Sequence, residues 1–132
     1  MNEATLYDRV GGMPYFERLV DRFYEGVEAD PVLRALYPEP ADLAGARRRL
    51  TLFLVQYWGG PRTYLEERGH PRLRARHFPF AIGELARDRW LLHMRAAIEE
   101  SDAPEDARAQ LHAYITLAAE AMRNREDDAQ PA

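Results

Sequence analysis

The stretch "RGHPRLRARHFPF", residues 68–80, decides how the rest of the chain is read. It carries two of the four histidines, four arginines, prolines at 71 and 79, and no acid, although the whole chain has a formal charge of −4. "RLRARH" (72–77) alternates with period two. Prolines bound it, however, and no partner strand is visible, so it is a poor strand. With Pro71 as the first helical residue, Leu73 and His77 fall at i, i+4 on one side. "FPF" follows, so His77 is expected to point toward an apolar interior while its arginine neighbours face out.

On both sides of this stretch the apolar spacing is helical. After the breaker "GGMP" (11–14), Phe16, Leu19, Val20, Phe23 and Val27 mark one face of a helix over about 14–28. Asp30-Pro31 reads as an N-cap and first-turn proline of a short helix ending near Tyr37-Pro38. Residues 42–58 carry Leu43, Ala46, Leu50, Phe53, Leu54 and Tyr57 on one face, with Leu52 and Val55 opposite, so the C-terminal half is expected to be covered all round. "GGP" (59–61) stops that helix, and the prolines and glycines of 59–83 allow only short helical pieces. Trp90, Met94, Ala97 and Ile98 stripe a helix over about 84–100. Pro104 opens the last one, striped by Leu111, Ile115, Ala118 and Met122. The reading is all-α, one domain over 1–132 with its core at about 5–123. The tail 124–132 ("NREDDAQPA") has no large apolar residue and is expected to fray.

The bulk numbers exclude several function classes. Lys+Arg is 18 against Asp+Glu 22, which leaves no electrostatic footprint for nucleic acid. With no cysteine there are no disulfides, thiolate catalysis, iron–sulfur clusters or Cys–zinc sites. That composition, with no apolar h-region in "MNEATLYDRV", leads us to expect a cytoplasmic protein. The longest plain apolar run, Leu52 to Val55, is too short for a membrane span.

A lone histidine is usually a surface or hydrogen-bonded residue. His93 and His112, at the edges of apolar stripes, and His70, between Gly69 and Pro71, suit that description. No pair has the i, i+4 spacing of a helical zinc site. His77 differs because it faces inward with no carboxylate or cysteine partner, which makes a poor catalytic dyad. It makes a good axial ligand for a metal whose equatorial ligands belong to a cofactor, and haem is the obvious case. Arg72, Arg74 and Arg76 are then placed to pair with the haem propionates, where otherwise they form a solvated basic face.

Three stretches carry a family resemblance: "RFYEGV" (22–27), "FLVQYWGGPRTY" (53–64) and "GHPRLRARHFPF" with "RDRWLLHM" (69–80 and 87–94). They resemble the group II, or O-type, truncated haemoglobins of actinobacteria and relatives, over about residues 5–123. The resemblance implies a truncated globin, a two-over-two helical sandwich around haem b. It implies His77 as the proximal iron ligand, with Tyr24, Tyr37 and Trp90 forming the distal pocket. Ala46 and Leu50 take helix positions where many larger globins place a distal histidine. Arg49, Tyr64 and Arg76 match residues at the propionates or haem edge, and Phe53 and Leu73 line the pocket. Two departures stand out. "YPEPADLAGA" (37–46) is one residue longer than usual between Tyr37 and the next helix, and "RRRL" (47–50) replaces what is often an acidic pair before arginine.

Three functions follow as candidates. The first is reversible binding of O2, and of NO, CO or sulfide, for carriage, sensing or scavenging. The second is a redox enzyme in the same pocket, an NO dioxygenase or a peroxidase. NO turnover requires a separate reductase, and the peroxidase lacks a distal acid–base histidine. The third is a colourless helical interaction domain. A monomer or a homodimer is compatible with all three.

Overall fold

A computed structural model describes residues 4–37 and 39–125 of the chain. Among the described residues there are eight helices and no strand: α1 (Leu6–Val10), α2 (Met13–Ala29), α3 (Pro31–Arg34), α4 (Pro40–Tyr57), α5 (Thr63–Arg68), α6 (Leu73–His77), α7 (Glu84–Glu100) and α8 (Glu105–Ala121). The four long helices lie where the apolar stripes predict. α2 packs on both α4 and α7, and α7 packs on α8. The result is two helix pairs, α2/α4 and α7/α8, laid against each other as the two-over-two sandwich requires.

Burial follows the stripes because each long helix presents its apolar face to a neighbour. Phe16, Val20, Phe23 and Val27 of α2 are buried, as are Met94, Ala97 and Ile98 of α7 and Leu111 and Ile115 of α8. Leu52 and Val55 are buried on the far side of α4, as expected. Tyr57 is not: at the C-terminal end of α4 it is 50% exposed and stacks on Tyr114, with ring centroids 4.1 Å apart.

α1 has no counterpart in the periodicity, because five residues are too few to show a stripe. Its signal is a capping box. The Thr5 hydroxyl accepts from the Asp8 amide, and the Asp8 carboxylate accepts from the Thr5 amide. The Tyr7 amide then donates to the Trp58 carbonyl at 3.0 Å, docking α1 on the end of α4. Gly59 makes room: its φ is +104°, and a Cβ there would lie 2.6 Å from the Thr5 side chain.

Two expectations change around residues 70–80 and at the tail. Pro71 does not open α6. Arg72 precedes the helix with left-handed backbone (φ 44°), so α6 begins at Leu73. Leu73 and His77 still share one side, because their spacing depends only on the turn between them. The tail expected to fray from 124 is hydrogen-bonded at Asn124 and Arg125, whose amides donate to the Ile82 carbonyl at 2.8 and 3.1 Å. Residues 126–132 lie outside the described residues.

Candidate functional site

Between the helix pairs lies a cavity of about 710 Å3, within the usual size of small-molecule and cofactor sites. The eleven residues that the family resemblance brings to the site all line it: Tyr24, Tyr37, Ala46, Arg49, Leu50, Phe53, Tyr64, Leu73, Arg76, His77 and Trp90. They come from α2, the turn after α3, α4, α5, α6 and α7, so only the tertiary fold brings them together.

On one wall stands His77, the last residue of α6 and the cavity's sole histidine among the described residues. Its Nδ1 lies 2.6 Å from the Leu73 carbonyl, one turn back. A carbonyl only accepts, so Nδ1 is the donor, and in the neutral ring the lone pair is on Nε2. Such a second bond fixes the tautomer and orientation of a metal-ligating imidazole.

Another part of the lining is aromatic. Tyr24 is buried in α2, edge-on to Phe23 and to Tyr37, and Trp90 of α7 is edge-on to Phe23 at 5.3 Å. The Tyr24 and Tyr37 ring centroids lie 6.2 Å apart. Burial pushes both phenols above the ordinary tyrosine range; their nearness raises Tyr24 further and works against the rise in Tyr37, so both stay protonated at neutral pH. The Trp90 indole N–H has no acceptor among the described residues.

A buried charge cluster joins the elements that carry this wall. Asp30 is 2% exposed, sealed from water but close under the surface. Its Oδ1 accepts from the Val32 amide at 3.0 Å and caps α3, and its Oδ2 accepts from Arg89 Nε at 2.8 Å. His93 Nε2 lies 2.7 Å from the same oxygen. Burial raises the Asp30 carboxyl pKa, but the bonds from His93, Arg89 and Val32 outweigh it and hold the group below its ordinary value. Arg89 and His93 flank Trp90 on α7, and α3 leads into Tyr37, so one carboxylate ties both donor-bearing segments together. Gly26 of α2 leaves space for the His93 ring, since a Cβ there would lie 2.4 Å from Nδ1. The sequence marked Asp30 as a cap. It gave no signal of these contacts, which come from residues 59 and 63 positions away.

The arginines divide. Arg49 and Arg68 line the cavity and make no ion pair among the described residues, which leaves both guanidinium groups open to an acidic ligand group. Arg76 also lines it, but its Nε donates to the Pro71 carbonyl at 2.5 Å and one terminal nitrogen donates to the carbonyls of Arg68 and His70. Arg72 and Arg74 do not line the cavity, contrary to expectation. Arg74 stacks on Phe78 and donates to the Arg123 carbonyl. α6 is one short helix, so only part of its arginine run can face inward. Sequence reasoning missed Arg68 and Tyr114 as lining residues. It read Met94, Ile115, Ala118 and Met122 only as core stripe, and all four also wall the cavity.

A helical sandwich around an apolar chamber lined by one histidine, among the described residues, and by Tyr24, Tyr37 and Trp90 has the make-up of a globin-type pocket. The family model "Bacterial-like globin" matches residues 5–124. Group 2 truncated hemoglobin YjbI of Bacillus subtilis is 41% identical over 113 residues, which cover 86% of this chain and 84% of that protein. Two solved structures are similar throughout. The thermostable hemoglobin of the actinobacterium Thermobifida fusca is 60% identical, with TM-score 0.88, covering 92% of this chain and 98% of that one. The hemoglobin of the phototroph Chloroflexus aurantiacus is 55% identical, with TM-score 0.89, covering 93% and 100%. The chain belongs to the bacterial-like globins, among the group 2 truncated haemoglobins. Members of this family bind haem with its iron, and globins bind O2 and other gaseous ligands. The likeness is not confined to actinobacteria, and no helix among the described residues is long and apolar enough to cross a membrane.

Proposed function

We propose that this chain holds haem b through His77 and binds O2 reversibly beneath Tyr24, Tyr37 and Trp90. The observation that carries the reading is the His77 Nδ1–Leu73 carbonyl bond, which leaves Nε2 as a fixed lone pair at an apolar cavity. The donor set suits the group: one neutral imidazole, apolar walls from Phe53, Leu50, Leu73 and Met94, and the guanidinium groups of Arg49, Arg68 and Arg76 for two propionates. Tyr64 packs beside Arg76, whose guanidinium lies 5.9 Å from its ring centroid. Bound there, haem would supply a ferrous iron able to take up a diatomic gas.

The chain's own residues do the rest. Ala46 and Leu50 offer no polar atom, so stabilisation of negative charge on the ligand falls to the hydroxyl pair and the indole. The Tyr24 and Tyr37 hydroxyls and the Trp90 indole N–H are the donors that line the cavity on this side. In a cavity of low dielectric each such bond is stronger than in water. The aromatic bodies of the same residues keep water away. A peroxidase-like role is less well served, because among the described residues no histidine besides His77 lines the cavity, and His93 is turned to Asp30.

The test is the absorption spectrum of the dithionite-reduced protein with and without CO, in the natural chain and in His77→Gly. The natural chain is expected to show a five-coordinate ferrous spectrum that CO converts. His77→Gly is expected to lose that spectrum and regain it on adding imidazole. A colourless natural chain, or a variant with an unchanged spectrum in the absence of imidazole, overturns the reading.

A further inference from the structure

The residues just after α8 serve a purpose that their composition conceals. Asn124 uses its whole carboxamide on one loop. Nδ2 donates to the carbonyls of His77 (3.1 Å) and Phe80 (2.9 Å), and Oδ1 accepts from the Ile82 amide (3.0 Å). The main-chain bonds from Asn124 and Arg125 to the Ile82 carbonyl complete a five-bond seam. The loop has little else to hold it. α6 contains no buried residue, and Phe78 and Phe80 are 54% and 39% exposed. Apolar burial at the His77 end is therefore slight, Leu73 being only partly buried against the core while the buried Ile82 anchors the far end of the loop. The seam bears on the His77 end directly, and three of its five bonds come from one side chain acting on the backbone of His77 and its successors.

We infer that Asn124 is a positioning residue for His77, setting the approach and tilt of its imidazole from behind without touching the pocket. This rests on the reading of His77 as the axial ligand. A carboxamide is what the position requires. It has two donors for two carbonyls and one acceptor for an amide, which no carboxylate or hydroxyl supplies together. The carbonyl of His77 lies at a helix end and also accepts from the Phe80 amide at 3.0 Å, so losing Asn124 removes the long-range tether and leaves that local bond in place.

The experiment uses the haem-loaded ferrous protein and two variants. Asn124→Ala deletes all three side-chain bonds. Asn124→Asp keeps the acceptor for Ile82 but sets a carboxylate against two carbonyls. The readouts are the iron–histidine stretching band in resonance Raman and the rate of haem transfer to an excess of apomyoglobin. Both variants are expected to shift or broaden the band and to release haem about 10-fold faster, as loss of two to three net hydrogen bonds implies. An unchanged band in both overturns the inference, even if the Ile82 amide exchanges faster, because the seam would then anchor the loop without reaching the imidazole. Should the variants fail to fold, amide exchange still decides. Cutting the iron–loop link in haem-loaded His77→Gly supplied with imidazole is expected to speed exchange at Ile82 several-fold relative to the natural protein, as reciprocal coupling demands. Unchanged exchange overturns the inference. If the natural protein shows no iron–histidine band at all, the axial-ligand reading fails, and this inference with it. A band that His77→Gly abolishes and the Asn124 variants leave alone sinks only the inference.

Discussion

Seven side chains of α2 lie in the core, whereas α6 buries none. Both helices line one cavity, and the parts of its wall that they carry hold their shape by different means. The Tyr24–Tyr37–Trp90 wall is cut from the main core. Its rings pack edge-on to Phe23, and Asp30 binds its segments from behind. The His77 wall is a thin layer of short helices held by hydrogen bonds to the backbone, from Arg76, Asn124 and the imidazole itself. Apolar packing tolerates small adjustments. A layer held by polar seams is fixed by whichever few bonds it has, so its failures should be local, while those of the packed wall should spread through the fold.

The sharpest way to break that contrast is Asp30→Ala. It removes a buried carboxylate with three partners and is expected to cost roughly 3 kcal/mol, the low end for breaking a buried pair, because Arg89 can turn toward water. Thermal or urea unfolding measures it, and a loss under about 0.5 kcal/mol would mean the wall needs only its packing. Asp30 titrates below its ordinary value in the folded protein. Its contribution is therefore present above the unfolded carboxyl pKa of about 3.9 and is lost as pH falls through the lower folded value. Asp30→Asn should flatten the acid limb of the stability curve and leave the neutral region's slope unchanged.

Trp90→Phe and Tyr37→Phe sharpen the same contrast at the ligand. Each removes one donor and keeps most of the ring, so the fold should stand while O2 dissociation quickens about 5- to 150-fold, corresponding to about 1–3 kcal/mol. Stopped-flow displacement of O2 by CO measures it, and two unchanged off-rates would refute the donor pair. The smallest effect is expected from Arg74→Ala on α6. Its bond to the Arg123 carbonyl is long at 3.4 Å and its contact with Phe78 is exposed. Stability should move by no more than about 0.5 kcal/mol, and the haem spectrum not at all.

The long helices were legible because burial repeats every three to four residues, and α2, α4, α7 and α8 are long enough to show it. His77 was legible because "HFPF" and the i, i+4 relation to Leu73 lie within two turns. The arginine run misled, since charge along a short helix says nothing about which members turn inward. Arg76 does, and Arg72 and Arg74 do not. Composition misled at the tail, where Asn124 looks like an ordinary polar end. α1 was missed because a capping box is a local motif without a stripe.

What the chain determined by itself is the four long helices, their apolar faces and an inward-facing imidazole at position 77, all fixed by spacing over a turn or two. What only the folded molecule decided is which distant polar groups meet. Asn124 reaches back 47 residues to His77, and His93 reaches 63 to Asp30. A hydrogen bond between such positions satisfies a buried or orphaned group wherever its partner comes from, so it leaves no period or motif along the sequence.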